Sequence, residues 1–391
     1  NGTGGVLATT DGTLTLNSTA WSNAGTINVS SGVMNLSGTN GSNTGAFNLS
    51  GGTLNLGGNL ATPVLGSFTR TGGLVNITGI LNNSGQTLDI DDGGVFGTGG
   101  LNNVSGTITG GTIISGLGRA LTASSTPTLN GVTLGNSSKP NLTVNGGLFV
   151  SNGLTLANGA TITKDSGIWY WNTTGAQTLG VAGGGTATLN SAGGYHYAGY
   201  GVTGQTLTFA AGLTQQGNLS VFQSSAANVV NLGSMLLTGS VQIETASFVN
   251  SGSLQIQGGT LSSANGFTTN AGSFVIAADG AFSRPSLSFA NQGVLQSAGT
   301  MSFGTGTLTN NGTLRIGSSP GFTRINGNLA LSSSSVLEIE ISGYARGVNP
   351  GYDAMHVTGT AAVDGTVNVI YQGGFTSANL GDSFVILSRG G

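Results

Sequence analysis

The stretch NTGAFNLSGGTLNLGG, residues 43–58, decides the fold of this chain. It holds two short strand patterns, 46–49 and 53–56, each preceded and followed by residues that favour tight turns. Apolar residues two positions apart bury one face of a strand and leave the other face in water. The predicted buried side chains are Phe47, Leu49, Leu54 and Leu56, and the predicted outward ones are Asn48 and Asn55.

The same pattern recurs along the chain, and its register is carried by glycine. Upstream, the glycines alternate at spacings of 13 and 7 residues, at Gly12, Gly25, Gly32, Gly45 and Gly52. Downstream, they recur at spacings of 20, 21 and 19 residues, at Gly252, Gly272, Gly293 and Gly312. A coil of this length cannot close a core alone, so neighbouring coils must stack with their strands paired in parallel. We therefore predict an all-β parallel β-helix, or β-solenoid, with about 20 residues per coil.

The regularity of the repeat suggests how the chain is organised. Residues 1–316 are predicted to form the solenoid, with regular coils over 1–120 and 246–316 and less regular coils over 121–245. From residue 317 the strands become longer, and 335–341 alternates apolar residues with Glu338 and Glu340 on the wet face. Residues 317–391 are therefore predicted to be a separate, more irregular C-terminal β region.

The composition narrows the classes of function. Only 5% of the residues are charged and the net charge is −3, so the chain lacks the clustered basic residues that bind nucleic acid. No apolar run approaches the length of a membrane helix, and cysteine is absent. Neither His196 nor His356 has a partner at metal-ligand spacing, and no nucleophile elbow or phosphate loop stands out. We predict no enzyme, no catalytic residue and no required cofactor.

A set of asparagines accompanies the glycine repeat, two residues before a glycine. Asparagine tolerates left-handed backbone and hydrogen-bonds its own turn, and glycine accepts a positive φ without steric cost. Stacked in register, these asparagines are predicted to form a structural ladder along one corner of the solenoid. The members are Asn23, Asn43, Asn83, Asn250, Asn270, Asn291 and Asn310.

The densest acidic group is Asp89, Asp91 and Asp92, followed directly by Gly93 and Gly94. Carboxylates beside a glycine turn supply the oxygen ligands that Ca²⁺ prefers, although the spacing is not that of an EF-hand loop. A solvated turn is the interpretation we favour, and a calcium site is the alternative.

Two aromatic groups lie close together in the sequence. The first is Trp169, Tyr170 and Trp171, and the second is Tyr195, Tyr197 and Tyr200 with His196 among them. A separation near one coil predicts that the two groups lie side by side, and an exposed aromatic surface would suit sugar stacking or a protein interface. The interpretation we favour is that alternate members, such as Tyr170 and His196, point outward while their neighbours fill the core, and the exposed aromatic surface is the alternative.

The C-terminal residues carry a resemblance to a known family. The matching positions are 317–321, Gly327, Leu329, Leu331, 337–341, Tyr352, Asp353, 357–361, 365–367, Gly381, Asp382, Phe384, Ile386 and Leu387. Over about 75 residues they resemble the end of an autotransporter-type passenger β-helix, a pattern shared by large adhesin-like bacterial surface and secreted proteins. The resemblance implies a right-handed parallel β-helix, an extracellular or cell-surface location, and adhesive or structural work.

Repeat sequence already begins at Asn1, which is typical of a mature or trimmed product, and residues 1–20 carry no charged cap. The ends of an uncapped solenoid expose unpaired backbone N–H and C=O groups. If one end of a copy binds the opposite end of the next copy, and the copies do not close into a ring, the contact repeats and produces a filament. We therefore predict a structural or adhesive subunit that stacks end to end into a surface filament through its solenoid ends. The alternatives are a monomeric adhesin that binds glycans or cell surfaces, and, less favoured, a polysaccharide lyase or hydrolase on a β-helix.

Overall fold

The computed structural model describes residues 1–223, 226–318 and 320–390; Ser319, part of the predicted 317–321 motif, lies outside them. Over these described residues the chain is nearly all β, with 53% strand and no α-helix, and its parallel coils stack into a β-solenoid of about 16 turns. Among the described residues, no helix has the length and apolar character that crossing a membrane requires. The predicted fold class is confirmed as a parallel β-solenoid, and its right-handed sense stays a prediction.

The chain divides into two compact units, Asn1–Tyr195 and His196–Gly391. Two single-turn 3-10 helices, Thr62–Val64 and Ala182–Gly184, lie in the first unit. The strands that begin in the first unit are β1 (Val6–Thr9), β2 (Thr13–Leu16), β3 (Ala20–Asn23), β4 (Thr26–Val29), β5 (Val33–Leu36), β6 (Asn40–Asn43), β7 (Ala46–Leu49), β8 (Thr53–Leu56), β9 (Asn59–Ala61), β10 (Ser67–Arg70), β11 (Leu74–Ile77), β12 (Ile80–Asn82), β13 (Thr87–Asp89), β14 (Asn103–Val104), β15 (Thr107–Thr109), β16 (Thr112–Ile114), β17 (Leu121–Thr122), β18 (Thr128–Leu134), β19 (Asn141–Asn145), β20 (Leu148–Leu156), β21 (Thr161–Lys164), β22 (Trp169–Trp171), β23 (Ala176–Val181), β24 (Ala187–Ser191) and β25 (Tyr195–Ala198).

The strands of the second unit are mostly four residues long and become longer toward its end. They are β26 (Thr206–Phe209), β27 (Leu213–Gly217), β28 (Ser220–Gln223), β29 (Asn228–Asn231), β30 (Ser234–Leu237), β31 (Val241–Glu244), β32 (Ser247–Asn250), β33 (Ser253–Ile256), β34 (Gly259–Ser262), β35 (Thr269–Asn270), β36 (Ser273–Ile276), β37 (Gly280–Ser283), β38 (Phe289–Asn291), β39 (Val294–Ser297), β40 (Thr300–Asn310), β41 (Thr313–Ile316), β42 (Phe322–Leu331), β43 (Val336–Ile341), β44 (Ala354–Val357), β45 (Ala361–Ala362), β46 (Thr366–Tyr371) and β47 (Leu387–Arg389).

In the first unit, parallel sheets run from coil to coil in a constant register. One sheet has the order β1-β4-β7-β10, and a second has the order β2-β5-β8-β11-β14. In the second sheet Asn55 pairs with Asn76, but Asn76 pairs with Asn103, a longer step along the chain. The regular register expected over 1–120 is therefore interrupted, because residues 90–102 leave the coil as a loop without strand.

In the second unit, the corresponding sheet contains β27, β30, β33, β36, β39, β41, β43 and β46 in that order. The described pairings between these strands are parallel, and the register is in step from coil to coil, with Ser253 opposite Ser273 and Ser273 opposite Val294. The isolated bridge between Ile341 and Tyr352 is antiparallel. This sheet continues from the regular coils into the C-terminal region, because β41 pairs with β43 and β43 pairs with β46. Strand β46 is its last member.

Inward side chains form the core of each unit. The four apolar side chains predicted to be buried in residues 46–56 are at most 2% exposed, and Asn48 lies on the surface, as the alternation predicts. In the second unit the core is rich in phenylalanine, and the ring centroids of neighbouring residues such as Phe282 and Phe289 lie 4.9 Å apart. Edge-to-face aromatic contacts of this kind add about 1 kcal/mol each beyond the area that they bury.

Two kinds of glycine fix the turns. Gly12, Gly32 and Gly52 have φ near +65°, in the left-handed region that glycine adopts without strain. The glycines after the ladder asparagines differ, because Gly45 does not have a positive φ. A Cβ atom at Gly45 would instead clash with the carbonyl oxygen of Gly25 in the coil below. The predicted reason for glycine is therefore wrong at Gly45, where the close stacking of backbones requires it, and is confirmed at Gly85, whose φ is +70°.

Candidate functional site

The asparagine ladder is present in the second unit as an unbroken row of side-chain hydrogen bonds. Each Nδ2 atom donates to the Oδ1 atom of the asparagine one coil further on, at 2.7–2.8 Å. The members are fully buried: Asn231, Asn250, Asn270, Asn291 and Asn310. Asn231 was missed in the sequence although Gly233 follows it two residues later, because the surrounding repeats are less regular.

The first unit has a shorter ladder. Asn1 donates to Asn23 and Asn23 donates to Asn43, both at 2.6 Å. The row then ends, because Asn43 donates to the carbonyl oxygen of Leu65 at 2.7 Å. Asn83 is buried at its own turn, where it accepts a hydrogen bond from Thr62 Oγ1, and it does not continue the row. The predicted ladder is therefore confirmed except at Asn83.

The acidic group at 89–92 is a network that fastens the loop at 90–102 and its neighbours. Lys139 Nζ lies 2.5 Å from Asp89 Oδ2 and 3.5 Å from Asp91 Oδ2. Asp92 forms an ion pair with Arg119 at 3.0 Å. Asp91 is 1% exposed, so the predicted solvated turn is wrong for this residue.

The carboxylate of Asp91 is held by donors from one turn. Its oxygens accept hydrogen bonds from the Ser115 hydroxyl and from the backbone N–H groups of Gly116 and Leu117. Burial raises the pKa of Asp91, but these hydrogen bonds and Lys139 together lower it below its ordinary value. A calcium ion would have to displace both Lys139 and these backbone donors. The described residues contain no group of three or more His, Cys, Asp or Glu side chains arranged to hold a metal ion.

Among the described residues, three buried cations that sequence reasoning missed bind backbone carbonyl groups. Arg70 donates to the carbonyl oxygens of Gly100 at 2.5 Å and Gly73 at 2.6 Å, and it thereby joins the loop at 90–102 to the turn before β11. Burial lowers the pKa of Arg70, and the nearby Arg119 lowers it further. A buried charge is tolerated only when hydrogen bonds replace its hydration, and these carbonyls provide them.

Lys164 is fully buried at the end of β21. Its Nζ atom donates to the carbonyl oxygens of Asp165 at 3.1 Å, Gly193 at 2.8 Å, and Gly167. Burial lowers the pKa of Lys164 to about 8, and Asp165 offsets part of that shift. The amine holds the turn after β21 against the turn after β24.

Arg284 has the same role in the second unit. One of its terminal nitrogens, Nη1, donates to the carbonyl oxygens of Phe267 at 2.5 Å and Asn265 at 2.7 Å. Its Nε atom donates to the carbonyl oxygen of Ser288 at 3.3 Å. Burial lowers its pKa, and Glu244 offsets part of the shift.

The aromatic group at 169–171 is mainly part of the core. Trp169 and Trp171 are fully buried, so the favoured interpretation that the neighbours of Tyr170 fill the core is confirmed for this group, and the alternative of an exposed aromatic surface is wrong. The reason is the alternation of β22, which points both indole rings inward and leaves Tyr170 half-buried on the outer face. There the Tyr170 ring lies 5.3 Å from the ring of Phe149.

In the second aromatic group, the prediction that His196 points outward while its neighbours fill the core is wrong. His196 is fully buried and its Nε2 atom lies 2.8 Å from Gln215 Oε1, so it does not point outward. Tyr195 and Tyr197 are half-buried, and Tyr200 is 41% exposed. The Tyr197 and Tyr200 rings meet edge to face at 5.6 Å.

An acidic cavity of about 270 Å³ lies on the second unit and is lined by Arg315, Glu338, Glu340 and Asp353, among others. Arg315 forms an ion pair with Glu338 at 2.5 Å. Both Asp353 oxygens accept backbone hydrogen bonds, from Gly321 at 2.7 Å and from Glu340 at 2.8 Å. Burial raises the pKa of Asp353 to about 6, and the two backbone donors partly offset that shift. The carboxyl groups of Glu338 and Asp353 are thus occupied in contacts that hold the C-terminal coils together.

The final coil of the second unit leaves an apolar face open. In β46, Val367, Val369 and Tyr371 stand opposite Leu337, Ile339 and Ile341, which are buried. The three β46 side chains are nevertheless 43–46% exposed, because β46 is the last strand of its sheet. At the other end of the chain β1 is also the edge strand of its sheet, and its Val6 is 64% exposed.

Comparison with known proteins does not place this chain in a family. No family model, no curated protein and no solved structure matches it. The resemblance of its C-terminal residues to autotransporter passengers therefore stays a prediction.

Proposed function

We propose that this chain is an extracellular structural protein of the bacterial surface whose solenoid coils stack end to end into a filament. The observation that carries the proposal is the apolar face of β46. In the neighbouring strand β43, the side chains in the positions of Val367, Val369 and Tyr371 are covered by a further coil and buried. The proposal assigns no catalytic step and no cofactor to the chain.

Edge strands support the proposal. A strand at the edge of a sheet presents unpaired N–H and C=O groups, and proteins that stay monomeric protect such edges with charged residues, proline or bulges. The sequences of β1 (VLAT) and β46 (TVNVIY) contain no charge and no proline. A strand added to either edge would gain backbone hydrogen bonds and bury apolar side chains at the same time.

The stacked interior explains how such a filament would resist unfolding. Buried amide ladders and buried cations join several of the coils to their neighbours through hydrogen bonds, in addition to the apolar core. Each satisfied hydrogen bond contributes about 1 kcal/mol, and a break in the row leaves a buried polar group without a partner. Resistance to local opening suits a protein that carries load outside the cell.

The proposal is tested by electron microscopy and analytical ultracentrifugation of the purified chain over a concentration series. We expect filaments of uniform width whose length increases with concentration. Val369→Asp places a charge on the open inward face and is expected to abolish them. Asn368→Asp places the same charge on the adjacent, outward-facing position and is expected to leave them intact. Monomers at every concentration, or equal loss in both variants, would overturn the proposal.

A second candidate function, glycan binding by a monomeric adhesin, is favoured by the Phe149–Tyr170 pair. The two half-buried rings lie together on the outer face of a sheet, and aromatic faces stack on sugar rings. Loss of glycan-array binding in Tyr170→Ala, with Tyr200→Ala as the surface control, would support this candidate. Unchanged binding in Tyr170→Ala would reject it.

A further inference from the structure

We infer that the outer face of β18, β20 and β22 holds a binding groove for a neutral, β-linked oligosaccharide, with one sugar ring on the Phe149–Tyr170 pair and the next beside Asn152. The inference rests on the second candidate function, glycan binding, and names the class of sugar and the residues that bind it. The site lies within the first unit and does not depend on filament formation.

A groove of about 240 Å³ follows the aromatic pair along β20, and its lining includes Asn152, Thr155 and Thr178. The groove exists because two of its positions carry no side chain. A Cβ atom at Gly131 would come no closer than 3.9 Å to a residue beyond its chain neighbours, and one at Gly180 no closer than 3.5 Å. A concave surface with a few polar side chains is the usual form of a small-molecule site.

The groove and the aromatic pair are continuous along one strand. Phe149 is three residues before Asn152 in β20, so the two residues lie at most about 10 Å apart. Between them, Ser151 pairs with Asn130 on one side and its hydroxyl donates to Asn172 Oδ1 at 2.7 Å on the other. The surface from the rings to the groove therefore accommodates two linked sugar rings.

Two asparagines present hydrogen-bonding groups on this surface. Asn152 Nδ2 donates to Asn130 Oδ1 at 2.7 Å, and Asn172 Oδ1 accepts the hydrogen bond from Ser151. Within the part of the chain that the structure describes, the Asn152 Oδ1 acceptor and the Asn172 Nδ2 donors have no protein partner. The first can accept a hydrogen bond from one sugar hydroxyl, and the second can donate to another.

The class of sugar follows from the aromatic rings and from the lack of charge. The negative face of an aromatic ring attracts C–H groups, and pyranoses with equatorial hydroxyls, such as glucose and N-acetylglucosamine in β-linked chains, present C–H groups on their ring faces. No residue that lines the groove is charged, so the carboxylate of an acidic sugar would lose hydration there without gaining a cation.

A peptide that binds by strand addition does not fit this site. Strand β20 is already paired on both sides, with β18 on one side and with β22 and β23 on the other. The backbone groups that strand addition requires are therefore occupied, and a ligand must bind through side chains.

Asn152 provides a test that spares the backbone. Its φ is +54°, which glycine adopts without strain, so Asn152→Gly removes the amide and should keep the fold. The wild-type chain is expected to bind cellotetraose or chitotetraose in titration calorimetry. Asn152→Gly should bind the same probe about fivefold more weakly, as expected for the loss of one hydrogen bond.

A second variant fills the groove instead of removing a polar group. The Cβ atom of Gly180→Leu makes only ordinary contacts, and the leucine side chain should exclude the sugar and weaken binding at least as much. Gly258→Leu is the matched control. It adds the same side chain in the second unit, where a Cβ atom meets nothing within 4 Å, and should bind the probe as the wild type does.

Tetragalacturonate is the acidic probe and should not bind. Absence of binding of both neutral probes to the wild type, or equal binding of tetragalacturonate, would overturn the inference. Unchanged binding in Asn152→Gly or in Gly180→Leu would also overturn it; if Tyr170→Ala still abolishes binding, the second candidate function remains. Binding that is unchanged in all three variants would overturn both.

Discussion

The side-chain amide of Asn23 donates from Nδ2 to Oδ1 of Asn43 at 2.6 Å, straight across one coil step. Both side chains are 2% exposed, so neither amide can turn to water if its partner is removed. The stacking of two coils at this corner is thus specified by polar groups as well as by the core. A register slip of one residue would leave both amides unpaired.

Replacing Asn43 by alanine should destabilise the first unit by about 3 kcal/mol, because Asn23 Nδ2 and the Leu65 carbonyl oxygen would both lose a partner. The measurement is the free energy of unfolding from guanidinium denaturation. Asn48→Ala is the matched control. It removes a hydrogen bond of the same chemistry to Asn28, but on the exposed face, and should cost less than about 1 kcal/mol. Equal effects in the two variants would show that burial of the ladder does not matter.

Replacing Asp91 by alanine should destabilise the first unit by about 3 kcal/mol, because two backbone N–H groups and Ser115 would lose a buried acceptor. The control Asp92→Ala breaks an exposed ion pair with Arg119 and should cost less than about 1 kcal/mol. Since the pKa of Asp91 is lowered in the fold, its stabilising contribution is present at neutral pH and is lost as the pH falls below about 4. The difference between wild type and Asp91→Ala should therefore shrink in acid, which denaturation at pH 3 and pH 7 would measure.

The repeat and the buried side chains of each coil could be predicted, because they depend on the local alternation of apolar and polar residues and on the residues that favour turns. The buried cations could not, although alternation with Ile162 does place Lys164 on the inner face of β21. What makes that burial tolerable is the carbonyl oxygen of Gly193, which comes from a later coil and leaves no local signal. The contacts of Arg70 with the loop at 90–102 could not be predicted for the same reason. The carbonyl groups that Arg70 binds become its neighbours only when the coils stack.

The aromatic residues show the opposite difficulty. Composition favours tryptophan and tyrosine at interfaces, and a surface role for Trp169 and Trp171 therefore stayed open beside the favoured interpretation that they fill the core. The alternation within β22 alone was enough to place both on one face, but it could not tell which face was inward. Their pairing partners, Leu148 and Val150 in β20, are core residues, and that long-range pairing decided the question.

Replacing Arg284 by methionine should destabilise the second unit by about 3 kcal/mol, because the carbonyl oxygens of Asn265 and Phe267 would be left without this donor. Arg284→Lys should recover only part of the loss, since one ammonium cannot reproduce the planar fork of a guanidinium. Arg324→Met is the control, because Arg324 is exposed and bonds only a neighbouring side chain on the surface. Unfolding free energies that fall equally in Arg284→Met and Arg324→Met would contradict the role assigned to Arg284.

Lys164 should give the chain an unusual dependence of stability on alkaline pH. Its pKa is about 8 in the fold and 10.5 in the ordinary state, so between these values the unfolded chain binds more protons than the folded one. The free energy of unfolding should therefore rise by up to about 3 kcal/mol across this interval, as the cost of burying the charge is relieved. Below pH 8 the cost of burying the charged amine is constant.

In Lys164→Met the amine is absent, so the variant should lack this rise while sharing every other titration with the wild type. The measurement is the difference in unfolding free energy between the two proteins at pH 7, 8, 9 and 10; a difference that does not change with pH would mean that Lys164 is not buried as a titrating amine.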